Sequence, residues 1–423
     1  MNKSPANLSR RSLLKQSLAA GAAFTIVPRY VLGGAGYTPP SEQITKAVIG
    51  VGSMGKGHLK LGGTRLLAVC DVDEGRMKAA MSKGVDGYRD FREVLERDDI
   101  DIIHVPTPPH WHALISIAAA QAGKDIWCEK PMARTIAESR AVRDVVQQHG
   151  RIFRLNTWFR FRNNFYGMGV PVKDIKKVVE NGLLGWPLKV TIGAHQGFDW
   201  KLGNWQGKTD LKPEEVPAAL DYDMWLGPAP YKPYSRHRTH STFRGYWDYD
   251  GGGLGDMGQH YLDPTQYILG KDNESPVEIE VDTPLQHPDA ALPWRRVRMK
   301  YADGCEIILD GDNTMKGEPF IAGPDGQISK GFSSDIPHLH QKLATLPDPE
   351  PQETDFVKCV RTRRQFALNE ANGHRSAMLV NLAVIGLRMG SGVLHFDPAT
   401  ETFIGNEAAN RLVSQPMRGP WHL

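Results

Sequence analysis

Residues 46–55 read Lys-Ala-Val-Ile-Gly-Val-Gly-Ser-Met-Gly, a short apolar strand that runs directly into a glycine-rich turn. The three glycines have the GxGxxG spacing. In such a turn the first glycine permits a tight reversal, the second lets the backbone approach a pyrophosphate, and the third lets a helix pack on the strand. The following helix presents unpaired N–H groups to the phosphates. The residues expected to contact a dinucleotide here are Gly50, Gly52, Ser53, Met54 and Gly55.

An acidic residue is expected about twenty residues after this turn, at the end of the next strand, where it bonds the adenosine ribose hydroxyls. Asp71 occupies that position, directly after the apolar strand of residues 66–70. Its negative charge would repel a 2′-phosphate, so the sequence favours NAD as cofactor over NADP. Arg76 keeps NADP open as the less favoured alternative. The competing interpretation is a glycine turn followed by a capping aspartate.

The order of strand, turn and helix repeats as far as about residue 157, which is the pattern of a parallel sheet covered by helices. The predicted strands are residues 46–50, 66–70, 101–105, 124–128 and 151–156, and the predicted helices are residues 112–121 and 134–148. The fold class is therefore α/β. Its N-terminal part is a dinucleotide-binding Rossmann domain over residues 44–157.

A second domain is predicted over residues 158–390, where longer strands alternate between apolar and polar side chains. Residues 297–309 read as a hairpin. We expect an α/β domain with a mainly antiparallel, open sheet and helices on one face. Residues 196–250 lack periodicity and are rich in proline, glycine and aromatic side chains, which indicates a functional insertion or lid. Residues 391–423 are expected to form an irregular tail packed on the body.

The composition excludes disorder and a nucleic-acid binder. The chain has 423 residues, 40% of them hydrophobic, and its 51 lysines and arginines nearly balance 48 acidic residues, with a formal net charge of +3. Residues 1–36 hold five basic residues and no acidic one. Removing them leaves a charge of −2, so the surplus belongs to the N-terminus.

That N-terminus has the parts of an export signal. Residues 9–15, SRRSLLK, resemble the twin-arginine motif, with Leu13 where phenylalanine is more usual, and residues 12–27 are mostly apolar. The run is too short and interrupted to span a bilayer permanently. We expect residues 1–36 to be a twin-arginine-type signal that directs the folded protein to the periplasm or another exported location. An ordinary basic amphipathic N-terminus is the alternative.

Nothing in the sequence points to a metal site. The four cysteines are far apart, and none forms a CxxC pair or has a zinc-like histidine spacing. Two of them, Cys70 and Cys128, fall in predicted buried strands. We therefore expect free core thiols and no bound metal.

Two further segments follow predicted strands, where ligands of an open parallel sheet bind. They are TPPHWH at residues 107–112 and Glu-Lys-Pro at residues 129–131. A lysine beside a cationic nicotinamide has its ammonium form disfavoured, so it can share a proton with a substrate hydroxyl. His110 and His112 are two residues apart, so a cap or core role for one of them stays open. The expected cofactor contacts are Thr107, Pro108, His110, His112, Glu129 and Lys130.

A third element is GGGLGDMGQHYLD at residues 251–263. If a helix begins near Leu254, Asp256 and His260 lie on one face, one turn apart. An imidazole with a carboxylate neighbour suits a general base near neutral pH. A surface ion pair is the competing interpretation for these two residues alone.

Together, GVGSMG, Asp71, TPPHWH, CEKP and GGGLGDMGQHYLD resemble the Gfo/Idh/MocA oxidoreductases, the glucose–fructose oxidoreductase and inositol dehydrogenase family. The resemblance covers residues 44–390, and the insertion resembles the exported, twin-arginine branch. It implies a Rossmann domain and an α/β domain whose open sheet covers the nicotinamide and often mediates oligomers. We therefore expect a homo-oligomer, a dimer or tetramer.

The same resemblance implies roles for individual residues. Lys130 would be the active-site lysine, His260 the general base and Asp256 its substrate-orienting partner. Trp158 stands where family members contact the nicotinamide. The chain departs from the family's usual residues at two positions, with Pro106 in place of a small residue and Pro109 in place of the commoner aspartate.

The implied reaction is NAD-dependent oxidation of a secondary alcohol on a sugar or glycoside, with C3 as a candidate carbon. His260 would take the hydroxyl proton while Lys130 polarises the same oxygen. Aromatic rings suit the apolar faces of sugars, although core packing is their commoner role. The candidate substrate contacts are Arg160, Trp225, Tyr246 and Trp247.

Export adds one expectation, because free NAD is not expected to be plentiful outside the cytoplasm. The cofactor would be loaded before export, held tightly and recycled in place. One alternative is a redox-neutral glycoside hydrolase that uses NAD transiently. The other is a non-catalytic sugar-binding protein that retains a structural dinucleotide. A small-molecule sugar is the expected partner in each case, with no nucleic acid and no permanent membrane span.

Overall fold

The computed structural model describes residues 42–157 and 159–423. The predicted signal of residues 1–36 and the nicotinamide contact predicted for Trp158 lie outside the described residues. Residues 44–423 form one compact unit built on two sheets. Within the described part of the chain, no helix combines the length and apolar character needed to cross a bilayer.

The first sheet has six parallel strands. They are β1 (Ile44–Ile49), β2 (Thr64–Cys70), β3 (Asp86–Tyr88), β4 (Ile102–Val105), β5 (Asp125–Glu129) and β6 (Phe153–Asn156). The helices among them are α1 (Gly55–His58), α2 (Glu74–Ala80), α3 (Phe91–Leu95), α4 (Pro109–Gln121) and α5 (Ile136–Gln148). The strand order β3-β2-β1-β4-β5-β6 is that of a Rossmann fold, as predicted. The order reverses between β1 and β4, which places the ligand crevice at the carboxyl ends of these two strands.

Local sequence explains where this sheet's helices begin. The side chain of Asp73 accepts hydrogen bonds from Gly75 N and Arg76 N at the start of α2. Thr135 caps α5 by accepting a hydrogen bond from Glu138 N. Such caps satisfy N–H groups that have no partner within the helix.

The second sheet has nine strands. They are β7 (Lys189–Ile192), β8 (Glu278–Asp282), β9 (Arg296–Lys300), β10 (Glu306–Asp310), β11 (Ile321–Gly323), β12 (Gly326–Ser329), β13 (Ser333–Ser334), β14 (Gly392–Asp397) and β15 (Thr402–Phe403). Their order is β13-β12-β11-β7-β10-β9-β8-β14-β15. Only β7 and β10 pair in parallel, so the predicted, mainly antiparallel sheet is confirmed.

Helices cover one face of this sheet. The helices after the first domain are α6 (Val172–Glu180), α7 (Tyr222–Leu226), α8 (Gly252–Ile268), α9 (Leu339–Thr345), α10 (Phe356–Thr362), α11 (Glu370–Met389) and α12 (Glu407–Val413). Those that share a core with this sheet are α6, α8, α9, α11 and α12, whereas α10 packs on the first sheet. The long helices α8 and α11 pack against each other, and Gly386 of α11 lies directly on Val281 of β8. Alternate side chains of β9 show the result, since Val297 and Met299 are buried while Arg298 pairs with acidic side chains outside.

Residues 391–423 are not irregular, which corrects the sequence-based expectation. β14 pairs with β8 and extends the second sheet, and β15 and α12 follow it. Alternation of apolar side chains at Leu394 and Phe396 drives this pairing, because both are buried by the sheet. The end of the chain does pack on the body, where the indole of Trp421 meets that of Trp111 with 4.8 Å between ring centroids.

The insertion predicted at residues 196–250 has little regular structure beyond α7 and a 3-10 helix at His240–Gly245. We call residues 219–245 the strap. Its backbone is fastened to the end of β2, where Asp221 N donates to Val72 O and Glu74 N donates to Ala219 O, both at 3.0 Å. The strap therefore lies against the edge of the Rossmann sheet where ligands bind.

Candidate functional site

A cleft of about 1200 Å³, counting the space at its mouth, runs along the carboxyl ends of β1, β2, β4 and β5. The Rossmann domain forms one wall and the strap forms the other. The predicted site residues that line it are Gly50, Gly52, Ser53, Met54, Asp71, Thr107, Pro108, Glu129, Lys130 and Trp225. Residues that are distant in sequence are thus brought to one cleft.

The glycine turn has the geometry that its spacing predicts. Gly50 has a φ of +93°, and a Cβ there would lie 3.0 Å from Thr107 N. Gly55 does not line the cleft; a Cβ at this position would lie 1.9 Å from Gly50 O. Its role is to let α1 pack on the turn rather than to contact a ligand.

Asp71 is held in place by the backbone of the turn. Its Oδ2 accepts a hydrogen bond from Val51 N and its Oδ1 accepts one from Asp73 N, both at 2.9 Å. Burial raises the pKa of Asp71 above its ordinary value, although these hydrogen bonds oppose the shift. Each carboxylate oxygen keeps a further lone pair, which fits the ribose hydroxyls of NAD.

Arg76 lies beside the glycine turn. Its Nη1 is 2.9 Å from the place where a Cβ of Gly52 would stand, and its Nε is 3.7 Å from Asp73 Oδ2. A guanidinium at the turn suits the pyrophosphate of a dinucleotide. Since the phosphates of NAD already provide this partner, Arg76 does not require NADP.

His110 and His112 are buried and do not line the cleft, so the structure does not bring these two predicted cofactor contacts to it. The Nε2 atom of His110 lies 2.9 Å from Trp225 O, and burial lowers the pKa of this histidine to about 3. The two ring nitrogens of His112 each lie 2.7 Å from a carbonyl oxygen, those of Pro131 and Thr107. Both rings therefore contact backbone oxygens of neighbouring segments behind the cleft.

The catalytic candidates meet where the strap reaches α8. Lys130 Nζ donates to Asp256 Oδ1 at 2.8 Å and to Asp256 O at 2.6 Å. Arg244 Nε donates to the same carboxylate oxygen at 2.9 Å, and Lys201 Nζ is 3.9 Å from Oδ2. Burial raises the pKa of Asp256, but the charges of Lys130 and Arg244 outweigh it and hold the pKa well below its usual range. Asp256 is therefore an ionised anchor for three cations.

His260 is on the same face of α8 as Asp256, one turn later, and is buried. Its ring meets the edge of Phe159 with 4.9 Å between centroids. Burial, and after it the charge of Lys130, lower the pKa of His260 well below its usual value. The imidazole is neutral in this environment, which is the state in which a ring nitrogen accepts a proton.

Glu129, the residue before Lys130, takes part in a buried hydrogen-bond network. Glu129 Oε1 lies 2.8 Å from His58 Nε2 and accepts a hydrogen bond from Asn156 Nδ2 at 2.5 Å. Burial raises the pKa of Glu129, but the hydrogen bond and charge of His58, together with the charge of Lys130 and the hydrogen bond from Asn156, outweigh it and lower the pKa to about 2. The carboxylate fixes the end of β5 and so helps to position Lys130.

Three of the four substrate candidates do not line the cleft and contact other parts of the fold instead. Arg160 is fully buried in ion pairs with Asp263 at 2.7 Å and Asp272 at 2.8 Å. Tyr246 is buried and its hydroxyl lies 2.7 Å from His237 Nδ1, while Trp247 Nε1 donates to a backbone oxygen at 2.9 Å. Of the four candidates, only Trp225 lines the cleft.

Sequence reasoning missed the strap's own contribution to the cleft. The lining residues that it supplies besides Trp225 are Met224, His240, Ser241, Phe243 and Arg244. No periodicity or motif marks them. The one available signal was their place within an insertion too long for an ordinary connection. Within residues 42–157 and 159–423, no group of three or more His, Cys, Asp or Glu side chains could hold a metal ion.

Comparison with known proteins agrees with this geometry. Sequence models of an oxidoreductase family match residues 44–157 as an NAD-binding Rossmann fold and residues 168–423 as a C-terminal alpha/beta domain. The chain belongs to the Gfo/Idh/MocA oxidoreductase family. The cofactor of this Gfo/Idh/MocA protein is NAD, in keeping with the family's Rossmann domain and with Asp71 in the cleft.

Several proteins are similar to this Gfo/Idh/MocA member. Inositol 2-dehydrogenase of Salmonella paratyphi B is 28% identical over 152 residues, 34% of this chain and 43% of that protein. A glycosyl hydrolase family 109 protein of Shewanella baltica is 32% identical over 174 residues, 34% of this chain and 38% of that protein. The chain thus spans less than half the length of these curated relatives.

A solved structure extends the likeness over both domains. The aldose-aldose oxidoreductase of Caulobacter crescentus, complexed with glycerol, is 17% identical and superposes with a TM-score of 0.53. The match covers 84% of this chain and 100% of that one. At this identity the likeness establishes the shared fold.

Proposed function

We propose that this protein is an NAD-dependent oxidoreductase that acts on a secondary alcohol of a sugar or glycoside. One observation carries the proposal: Lys130 lines the same cleft as the glycine turn and Asp71 and is bonded to Asp256, one helical turn from His260. The relative named inositol 2-dehydrogenase supports a cyclic polyol as the type of substrate.

The residues that would hold NAD are the backbone of residues 50–54, Asp71 and Thr107. When bound, NAD supplies the hydride acceptor at its nicotinamide and, in a redox-neutral cycle, the hydride donor. Lys130 would donate a hydrogen bond to the substrate oxygen, and Asp256 orients that lysine. The neutral imidazole of His260 would take the hydroxyl proton.

The strap supports a tightly held cofactor, which is part of the proposal. It covers the cleft with Met224 and Phe243 and is fastened to the end of β2 through Asp221. The end of the chain holds the strap from outside, where Arg418 Nε donates to Gly227 O at 3.0 Å. Release of a dinucleotide would require these contacts to break, which suits a cofactor loaded before export through the predicted signal of residues 1–36.

A redox-neutral glycoside hydrolase is the second candidate, and the glycosyl hydrolase family 109 relative favours it. In that cycle the C3 hydroxyl is oxidised and the C2 proton becomes acidic. The C1–O bond breaks by elimination, water adds at C1, and the C3 ketone is reduced again. His260 would serve the proton at the C3 oxygen in both directions.

One experiment separates these candidates. Purified protein is denatured to release its dinucleotide for mass spectrometry, and intact protein is incubated with aryl glycosides and free sugars. Accumulating keto-sugar indicates a net oxidoreductase, whereas released phenol without net reduction of cofactor indicates the hydrolase. Lys130→Met should abolish either reaction while the dinucleotide stays bound, and Lys212→Met, at an exposed site in the insertion, is the control. Full turnover by Lys130→Met would refute the assignment.

A further inference from the structure

Three cationic side chains surround a single carboxylate at the substrate end of the cleft. Lys130, Arg244 and Lys201 all lie within 3.9 Å of the one carboxylate of Asp256. A single carboxylate cannot satisfy three cations, because its two oxygens offer about four lone pairs and one charge. Some cationic hydrogen-bonding capacity therefore remains directed at the space in front of Asp256.

Arg244 shows this most clearly. Its Nε bonds Asp256 and its Nη1 donates to Ser241 O at 3.1 Å, but no described residue of the chain accepts a hydrogen bond from its Nη2. The central carbon of the guanidinium lies 4.9 Å from the ring centroids of both Trp205 and Phe243. Arg244 is thus a fixed, planar donor that lines the cleft.

Lys201, in the loop before the strap, does not line the cleft itself, but its ammonium approaches the same carboxylate of Asp256. Its backbone has a φ of +51°, and its amide donates to Asp199 Oδ1 at 2.8 Å. The ammonium is 3.9 Å from Asp256 Oδ2, too far for a hydrogen bond, and its side chain is 39% exposed. It is near enough to His260 for its charge to lower the pKa of that ring.

The nearby acids do not neutralise these two donors. Glu129 is committed to His58 and Asn156 on the floor of the cleft. Asp250 is buried, and burial raises its pKa to about 7, so its charge is only partial near neutral pH. Oδ1 of Asp256 is already shared by Lys130 and Arg244.

We propose that the substrate carries a carboxylate, as in a uronic acid or its glycoside, and that Arg244 Nη2 and Lys201 Nζ bind this group. The inference rests on the proposed function, since it names the substrate class of the same site. An arginine guanidinium matches a carboxylate in shape as well as in charge. The reacting hydroxyl remains with Lys130 and His260.

The test compares sugars that differ only at C6, such as methyl glucuronide with methyl glucoside and galacturonate with galactose. Binding to the protein with its own dinucleotide is followed by tryptophan fluorescence, and turnover by keto-sugar formation. We expect the acidic member of a pair to bind about tenfold to a hundredfold more tightly, and this preference to shrink at high salt.

Two variants and a control assign the effect. Arg244→Met and Lys201→Met should each reduce the acid-to-neutral ratio of affinities by about tenfold, whereas Lys212→Met should leave the ratio unchanged. Equal affinity for both members, or a preference that survives in Arg244→Met and Lys201→Met, would overturn the inference. Oxidation of the neutral sugars without preference would leave the proposed function standing. Acid-selective binding without any turnover would instead remove the proposed function and keep the carboxylate site.

Discussion

Asp250, just before α8, makes the stability of the protein depend on pH. The residue is buried, and its Oδ1 accepts a hydrogen bond from Gly251 N at 2.8 Å. Burial raises its pKa from 3.8 to about 7; the charge of Asp256 adds to this shift, while Arg244 and Lys130 oppose it. In the folded protein Asp250 thus keeps its proton at a pH where the unfolded chain has lost it.

The sign and size of the effect follow from proton linkage. Between about pH 4 and pH 7 the folded state binds more protons than the unfolded state, so the free energy of unfolding falls as the pH rises. A shift of about three units corresponds to about 4 kcal/mol at most. Asp250→Asn has no proton to lose and can retain the bond to Gly251 N. The free energy of unfolding of Asp250→Asn minus that of the native sequence should therefore increase from pH 4 to pH 7 and then stay constant.

Urea unfolding of both proteins, followed by tryptophan fluorescence at several pH values from 4 to 8, measures this difference. Asp210→Asn is the matched control, because Asp210 is an exposed aspartate of the same insertion. The difference between Asp210→Asn and the native sequence should not change with pH. A constant difference for Asp250→Asn, or one that declines as the pH rises, would show that Asp250 is not held protonated by burial.

Three further changes test other parts of the structure. Arg160→Met leaves the buried carboxylate of Asp263 without its partner. We therefore expect the free energy of unfolding, measured in urea, to fall by about 3 to 5 kcal/mol, while KM per folded enzyme stays unchanged. A raised KM at unchanged stability would favour the substrate role for Arg160 instead. Asp71→Ala removes the hydrogen-bond acceptor for the ribose. We expect the affinity for NAD, measured by dinucleotide titration, to fall about tenfold or more and the affinity for NADP to fall less. Equal losses of affinity for the two dinucleotides would contradict this. Gly55→Val places a side chain against Gly50 O and should lower both stability and dinucleotide content, measured by unfolding and absorbance.

The parts of the site that sequence could predict are those with fixed spacing. Gly50 and Asp71 belong to a strand, turn and strand whose geometry dictates the residue types, and both line the cleft. Asp256 and His260 are four residues apart. Because residues at this spacing lie on the same face of a helix, the prediction of a helix also placed these two side chains on one face.

Sequence could not place the side chains whose contacts are decided by tertiary packing. His112 follows the end of β4 as expected, but its ring turns toward backbone carbonyls and away from the cleft. Arg160 is charged and near the site in sequence, yet its partners Asp263 and Asp272 are more than a hundred residues away. Arg244 carries no motif, because its position is set by the path of the strap across both domains.

That path means that one short segment controls two properties. Met224, Phe243 and Arg244 all line the cleft. In the proposed function, the first two would border the dinucleotide and Arg244, the residue after Phe243, would face the substrate. A substitution that widens the substrate pocket by shifting residue 244 would also move the wall that retains NAD. Variants of this segment that are selected for activity on a new sugar should therefore lose cofactor during purification. Further substitutions that restore cofactor retention should reduce the range of sugars that these variants accept.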